Sequence, residues 1–103
     1  MSVTIDLSGR VAVITGGARG IGYAAAQKML AAGAKAVALW DIDAAALQEA
    51  AAGLGSLGVV STDVVQLTDE NAVAEATAAV AARHGGIDIL VNNAGITRDA
   101  TFR

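Results

Sequence analysis

The run Thr15-Gly16-Gly17-Ala18-Arg19-Gly20-Ile21-Gly22 directly follows the β-branched stretch Val11-Ala12-Val13-Ile14-Thr15 and opens into a helix-forming segment. Small residues at a strand-to-helix turn suit the holding of phosphate. Glycines reach positive φ and let an anion approach the main chain, and the helix start offers unpaired amides and the positive end of its dipole. A strict G-x-G-x-x-G/A match exists at Gly20, Gly22 and Ala25, but by then the strand has ended. The better parse is T-G-x-x-x-G-x-G, with Gly16 at the turn and Gly20 and Gly22 at the helix start.

Three further polar groups fall where strands should end: Asp41, Asp63-Val64 and Asn92-Asn93-Ala94-Gly95. Asp41 lies nineteen residues after Gly22, close to the spacing of about 20 expected for an acid that binds an adenosine ribose. Its carboxylate can accept hydrogen bonds from the 2′- and 3′-hydroxyls, and a 2′-phosphate there would meet a like charge. The alternative is that Asp41 only caps the helix that begins near Asp43. No Lys or Arg follows Asp41 in Ile42-Asp43, although Arg19 stands in the glycine loop, where the family resemblance described below associates a basic residue with NADP in some relatives. The spacing therefore favours NAD over NADP.

These groups need elements to hold them. Short apolar runs predict strands at Val11 to Thr15, Ala36 to Asp41, Val59 to Asp63 and Ile89 to Asn93, each nearly continuous in apolar residues, as in strands covered on both faces. Between them the periodicity predicts three helices. The first runs from Ile21 to Ala32 with Ile21, Ala25 and Met29 toward the sheet, and Gly33 stops it. Asp43 caps the second, whose apolar face is Leu47, Ala51 and Leu54. Thr68 or Asp69 starts the third, with Val73, Ala76 and Val80 inward and Gly85-Gly86 at its end. Alternating strands and helices with right-handed crossovers give an α/β, Rossmann-type parallel sheet of order 3-2-1-4, flanked by helices. It amounts to a truncated half of a doubly wound fold. Its ligand cleft should open between strands 1 and 4, above their carboxyl ends.

Composition bounds the rest. The 103 residues form one domain, and 54% hydrophobic content supports a core. A net charge of −3 without a basic cluster argues against a nucleic-acid partner. There is no cysteine, so no disulfide framework or thiolate metal site is expected, and the only histidine, His84, implies no metal. His84 falls at a helix C-terminus, where a cation would suit the dipole. Trp40 is expected to pack at a strand end. Neither a signal peptide nor a membrane span is read, which suggests a cytoplasmic chain.

Taken together, T-G-x-x-x-G-x-G, the position of Asp41, Asp63-Val64 and N-N-A-G resemble the short-chain dehydrogenase/reductase family over almost the whole chain. The resemblance implies a nicotinamide dinucleotide held by Gly16, Ala18, Arg19, Gly20, Ile21 and Gly22, with Asp41 and Ile42 at the adenosine ribose. Asp63 would take the adenine amine while the Val64 amide faces the ring. Asn92, Asn93, Ala94 and Gly95 would tie the central strands and line the nicotinamide ribose. The stretch after Gly95 resembles that of 3-oxoacyl-(acyl carrier protein) and acetoacetyl-CoA reductases, which implies a β-ketoacyl thioester. The family's catalytic Ser, Tyr, Lys and Asn would all lie beyond Arg103. The one tyrosine, Tyr23, is followed four residues later by Gln27 rather than Lys. No catalytic residue is therefore assigned, and the chain is expected to bind without turnover. The readings from other classes are a stand-alone nucleotide-binding module and a self-associating structural half-domain. Self-association is expected in any case. The fourth strand becomes an edge with no Lys, Pro or charge between Ile89 and Asn93, and one sheet face is covered by a single helix.

Overall fold

The computed structural model describes residues 6–93. Its strands are β1 (Val11–Thr15), β2 (Ala36–Asp41), β3 (Val60–Val64) and β4 (Ile89–Asn92), and its helices are α1 (Gly20–Ala31), α2 (Ala44–Leu54) and α3 (Glu70–His84). The four strands pair in parallel in the order β3-β2-β1-β4. This is the Rossmann-type arrangement expected from the alternation of apolar runs.

The two central strands carry the core. On one face Ala12 and Ile14 of β1 and Val37 and Leu39 of β2 meet Ala26 and Leu30 of α1 and Leu47, Ala50 and Leu54 of α2. On the other, Val11, Val13, Ala36, Ala38 and Trp40 meet Ala76 and Val80 of α3, together with Val65. The flanking strands differ from expectation, because β3 and β4 are only half covered. Leu90 pairs in register with Val13, on the α3 side of the sheet, yet is 62% exposed. A single helix cannot cover four strands.

Two helical faces are rotated from the expected ones. In α1 the fully buried stripe is Gly22, Ala26 and Leu30, whereas Ala25 and Met29 are half-buried and Ile21 is 76% exposed. The cause lies at Gly22, where a Cβ would collide with the Gly16 carbonyl oxygen. That contact turns the glycine, not Ile21, toward the strand end. In α2 the third buried position is Ala50 rather than Ala51. Tyr23 packs between these helices, with its hydroxyl where a Cβ on Gly53 would sit.

Caps fix the helix ends. Asp43 Oδ1 accepts from the Ala46 amide at 3.0 Å, and Asp69 Oδ1 accepts from Asn71 and Ala72 at 3.0 and 3.1 Å, which settles the start of α3 on Asp69 rather than Thr68. Gly85 ends α3 with φ 93°, a left-handed conformation for which glycine lacks the Cβ penalty. Strand β3 runs one residue later than expected, since its pairing with β2 carries it past Asp63 to Val64. Strand β4 ends at Asn92, one residue short of expectation. Its start is pinned by Asp88, whose carboxylate accepts from the Val11 amide at 2.9 Å while its own amide donates to Val11 at 2.8 Å.

His84 corrects a further expectation. It does sit at the C-terminus of α3, but its pKa moves away from the cationic form that the dipole would favour. Its Nε2 lies 3.0 Å from Ser61 Oγ on β3, and burial, followed by the nearby charges of Arg83 and Lys35, lowers its pKa below 6.5. Among the described residues no helix is long and apolar enough to cross a membrane, and no group of three or more His, Cys, Asp or Glu is placed to hold a metal ion.

A depressed histidine pKa means that the unfolded chain binds this proton more readily than the folded one. Stability is then complete above about pH 6.5 and falls as the pH drops through that value. Urea unfolding between about pH 7.5 and 5.5 should show the midpoint decreasing toward acid, and His84→Gln should flatten the slope. A midpoint that rises toward acid would restore the cationic reading.

Candidate functional site

Of the polar groups picked out by the sequence, the glycine loop, Asp41 and Asn92-Asn93 gather at the carboxyl ends of β1, β2 and β4. Strand β1 passes directly into the glycine loop, where the amides of Gly16 and Gly17 donate to the Trp40 carbonyl at 2.7 and 3.3 Å. Gly16 and Gly20 take φ values of 64° and 61°. Those angles return the chain sharply enough for α1 to start against the end of β1. Space around Gly20 is open, with nothing within 4 Å of where a Cβ would stand. Arg19 occupies the N-cap position of α1 in extended conformation and provides no side-chain cap, whereas α2 and α3 are both capped by aspartates. The first amides of α1 thus face outward beside an opening that an anion could fill.

Next to the loop lies a pocket of about 300 Å³, walled by Gly16, by Trp40, Asp41 and Ile42 at the end of β2, and by Val65, Gln66, Leu67 and Thr68 after β3. Asp41 Oδ1 accepts from the amides of Ile42 and Asp43 at 2.8 and 3.2 Å. Its second oxygen has no partner among the described residues. Asp41 thus shapes the turn before α2 and keeps one acceptor without a partner, while the cap of α2 that was its alternative reading belongs to Asp43. Ile42 is largely exposed on the same wall.

Asp63 and Val64 stand elsewhere. Asp63 is gripped by Arg83, with contacts of 3.3 and 3.5 Å, and with Val64 it borders a shallow groove against Ala72, Glu75, Ala76 and Ala79 of α3. The positions they were expected to fill on the Asp41 pocket are taken by Gln66 and Leu67. The sequence reading missed both. The available signal was the apolar pair Val64-Val65, which lets the strand continue beyond Asp63 and makes Gln66 the first polar residue past its end.

The asparagines act as struts. Thr15 Oγ1 lies 3.1 Å from Asn92 Oδ1 and accepts from the Asn93 amide at 2.8 Å, and Asn93 Nδ2 donates to the Gly16 carbonyl at 3.3 Å. A single hydroxyl joins β1, β4 and, through Asn93, the glycine loop. Thr15 is buried, and nothing in its residue type alone announced this role. Ala18 is buried under the loop, and the exposed Ile21 contributes its backbone to the first turn of α1 while its side chain joins an apolar patch with Ala24, Ala25 and Met29. Ala94 and Gly95 lie outside the described residues, as does the stretch after them.

Trp40 packs at the strand end as expected, and its indole Nε1 is buried without a partner among the described residues. It forms the floor of the pocket. A buried donor at that place adds to the polar groups of Asp41, Gln66 and Thr68 on the same wall.

A glycine loop running into a helix without a side-chain cap, with a pocket of about 300 Å³ at the end of the second strand, defines a dinucleotide-binding Rossmann-type site. The chain belongs to the short chain dehydrogenase family, whose model matches residues 10–103. An uncharacterized oxidoreductase of Mycobacterium bovis is 46% identical over 100 residues, covering 94% of this chain and 39% of that protein. Among solved structures, an NAD+-bound xylitol dehydrogenase superposes with TM-score 0.83 at 34% identity over 87% of this chain and 35% of its own. The NADP complex of Pseudomonas aeruginosa RhlG superposes with TM-score 0.82 at 37% identity, over 94% of this chain and 39% of its own. The names of further relatives range from gluconate 5-dehydrogenase to a hydroxyacyl-CoA dehydrogenase. The chain therefore spans about two fifths or less of the length of these proteins.

The Thr15 node predicts a stability effect. Thr15→Val keeps the shape but leaves the Asn93 backbone amide and the Asn92 side-chain oxygen Oδ1 without the Thr15 hydroxyl. It should cost about 1–3 kcal/mol in denaturant unfolding. A change within about 0.5 kcal/mol, the ordinary range for surface substitutions, would show that the node holds nothing together.

Proposed function

We propose that this chain is the NAD(H)-holding part of an oxidoreductase that moves hydride between NAD(H) and a ketone or secondary alcohol. The observation that carries the reading is Asp41, which lines the 300 Å³ pocket together with Gly16 and keeps one carboxylate oxygen without a partner among the described residues. In this reading the first amides of α1 and the loop around Gly20 take the diphosphate. Asp41 accepts from the ribose hydroxyls. Ile42 and Leu67 flank the adenine, and Gln66 supplies the polar edge first sought at Asp63. The struts Asn92 and Asn93 hold the β4 end where the nicotinamide ribose would lie. The residues present fit such a cofactor, because the loop leaves space and donors where its charge is greatest and an acceptor where its hydroxyls are. Once bound, the nicotinamide ring supplies or accepts the hydride.

The same residues support a narrower reading. Asp41 disfavours a 2′-phosphate by like charge, so NAD(H) is the cofactor rather than NADP(H). None of the described residues is assigned to activating a carbonyl, so the 103-residue chain alone binds without turning over. The resemblance of the segment after Gly95 supports a 3-oxoacyl thioester as substrate of the whole enzyme. Half-covered β4, with Leu90 exposed, supports self-association through that edge or face.

Calorimetry with both cofactors tests the central part. NAD should bind at least about tenfold more tightly than NADP, since opposed like charges cost several kcal/mol, and Asp41→Ser should remove most of that preference. NADP binding equal to or tighter than NAD would contradict the assignment of Asp41. Acetoacetyl-CoA with NADH should give no oxidation above background, and measurable turnover would refute the incompleteness. Light scattering at micromolar concentration should give a mass above that of one chain, reduced by Val91→Lys. A monomer unaffected by that substitution would exclude the β4 edge.

A further inference from the structure

We infer that Asp43 sets the cofactor preference of this pocket by holding Arg19, so that the glycine loop offers no free cation to a phosphate on the adenosine 2′-position. This role rests on the NAD(H) reading of the site and adds a residue to it. Arg19 precedes α1 and is the one basic residue of the loop. Its guanidinium reaches across to the turn between β2 and α2 and meets Asp43 Oδ2 at 3.1 Å. The acceptor is itself fixed, because the other Asp43 oxygen is committed to the Ala46 amide at 3.0 Å. The Ala46 amide and then Arg19 hold the Asp43 carboxyl below the usual range, against the opposing effect of desolvation.

The two acids of Asp41-Ile42-Asp43 thus have separate tasks. Asp41 receives the Ile42 and Asp43 amides on one oxygen and presents the other to the pocket, while Asp43 caps α2 with one oxygen and tethers the guanidinium with the other. Among the described residues no lysine or arginine lines the pocket. The charges of Arg19 and Asp43 cancel, and Asp41 alone sets the sign felt by the ribose. Both partners of the pair are well exposed, with side chains 69% and 41% accessible, so its effect on stability is small and its consequence is where the guanidinium rests. Two residues in sequence with opposite implications, Arg19 for NADP and Asp41 for NAD, are reconciled by a third.

Asp43→Asn separates the tether from the cap, since Asn caps a helix N-terminus as well as Asp does. Calorimetry on the full chain should show the affinity ratio of NADP to NAD rising about fivefold at low salt, the effect of about one exposed unit charge near the phosphate. The rise should vanish near 1 M salt, where the screening length is about 3 Å. In an Arg19→Gln background the same substitution should leave the ratio unchanged. An equal rise in both backgrounds would mean that Asp43 repels the phosphate directly, and no rise in either would mean that the tether is irrelevant; each overturns the inference. If Asp43→Asn lowers the melting temperature, Asp43→Ser, a second good cap without charge, takes its place. Failure of the unsubstituted chain to bind NAD is a different result, which refutes the proposed function itself and this inference with it.

Discussion

The backbone of α1 touches the end of β1 at a place where no side chain fits. A Cβ on Gly22 would overlap the Gly16 carbonyl oxygen and crowd the Gly17 Cα, and one on Gly17 would press into Leu39 and the Ile14 carbonyl. Closeness at this corner shapes both the core and the site. It aims the first amides of α1 outward past the strand end and turns Ala26 and Leu30, rather than Ala25 and Met29, into the core. It also leaves Arg19 on the rim, within reach of the neighbouring turn. The site is a consequence of packing before it is a matter of any polar residue.

Around that corner the polar groups serve two tasks at once. The Thr15 hydroxyl joins Asn92 and Asn93, so the β4 end is held at the same level as the loop. Asp41 fastens the turn after β2 with one oxygen and keeps the other for a ligand. Asp43 caps and tethers. Such double use suits a chain where alanine and glycine leave few large side chains to lock a surface. It also means that a substitution removing both tasks of such a residue will change stability and binding together.

The sheet order and the helix sequence were legible because β1 and β2 are unbroken apolar runs and a right-handed crossover permits few arrangements. The rotation of α1 was not. Periodicity favours the stripe Ile21-Ala25-Met29 over Gly22-Ala26-Leu30, and the choice is reversed by Gly22 meeting a loop that periodicity cannot see. Asp63-Val64 misled for a related reason. An Asp followed by Val looks like a strand terminus, yet the register with β2 continues, and Arg83 from the far end of α3 takes the carboxylate. The His84 pKa is lowered first by burial and then by Arg83 and Lys35, the latter from the segment before β2, so its position in α3 alone pointed the wrong way. What sequence conveys well here is local chemistry along one segment. What it hides is which distant segment claims a side chain first.

The central claim is that one end of the sheet, and not its faces or its other edge, binds a dinucleotide. Backbone amide chemical shifts recorded during an NAD titration test it most directly. Saturable shifts are expected at Gly16 to Gly22, at Asp41 and Ile42, and at Gln66 and Leu67, with Ser61 and His84 on the far side of β3 and α3 unmoved. Saturable shifts centred on α3, or none in the glycine loop, would contradict it.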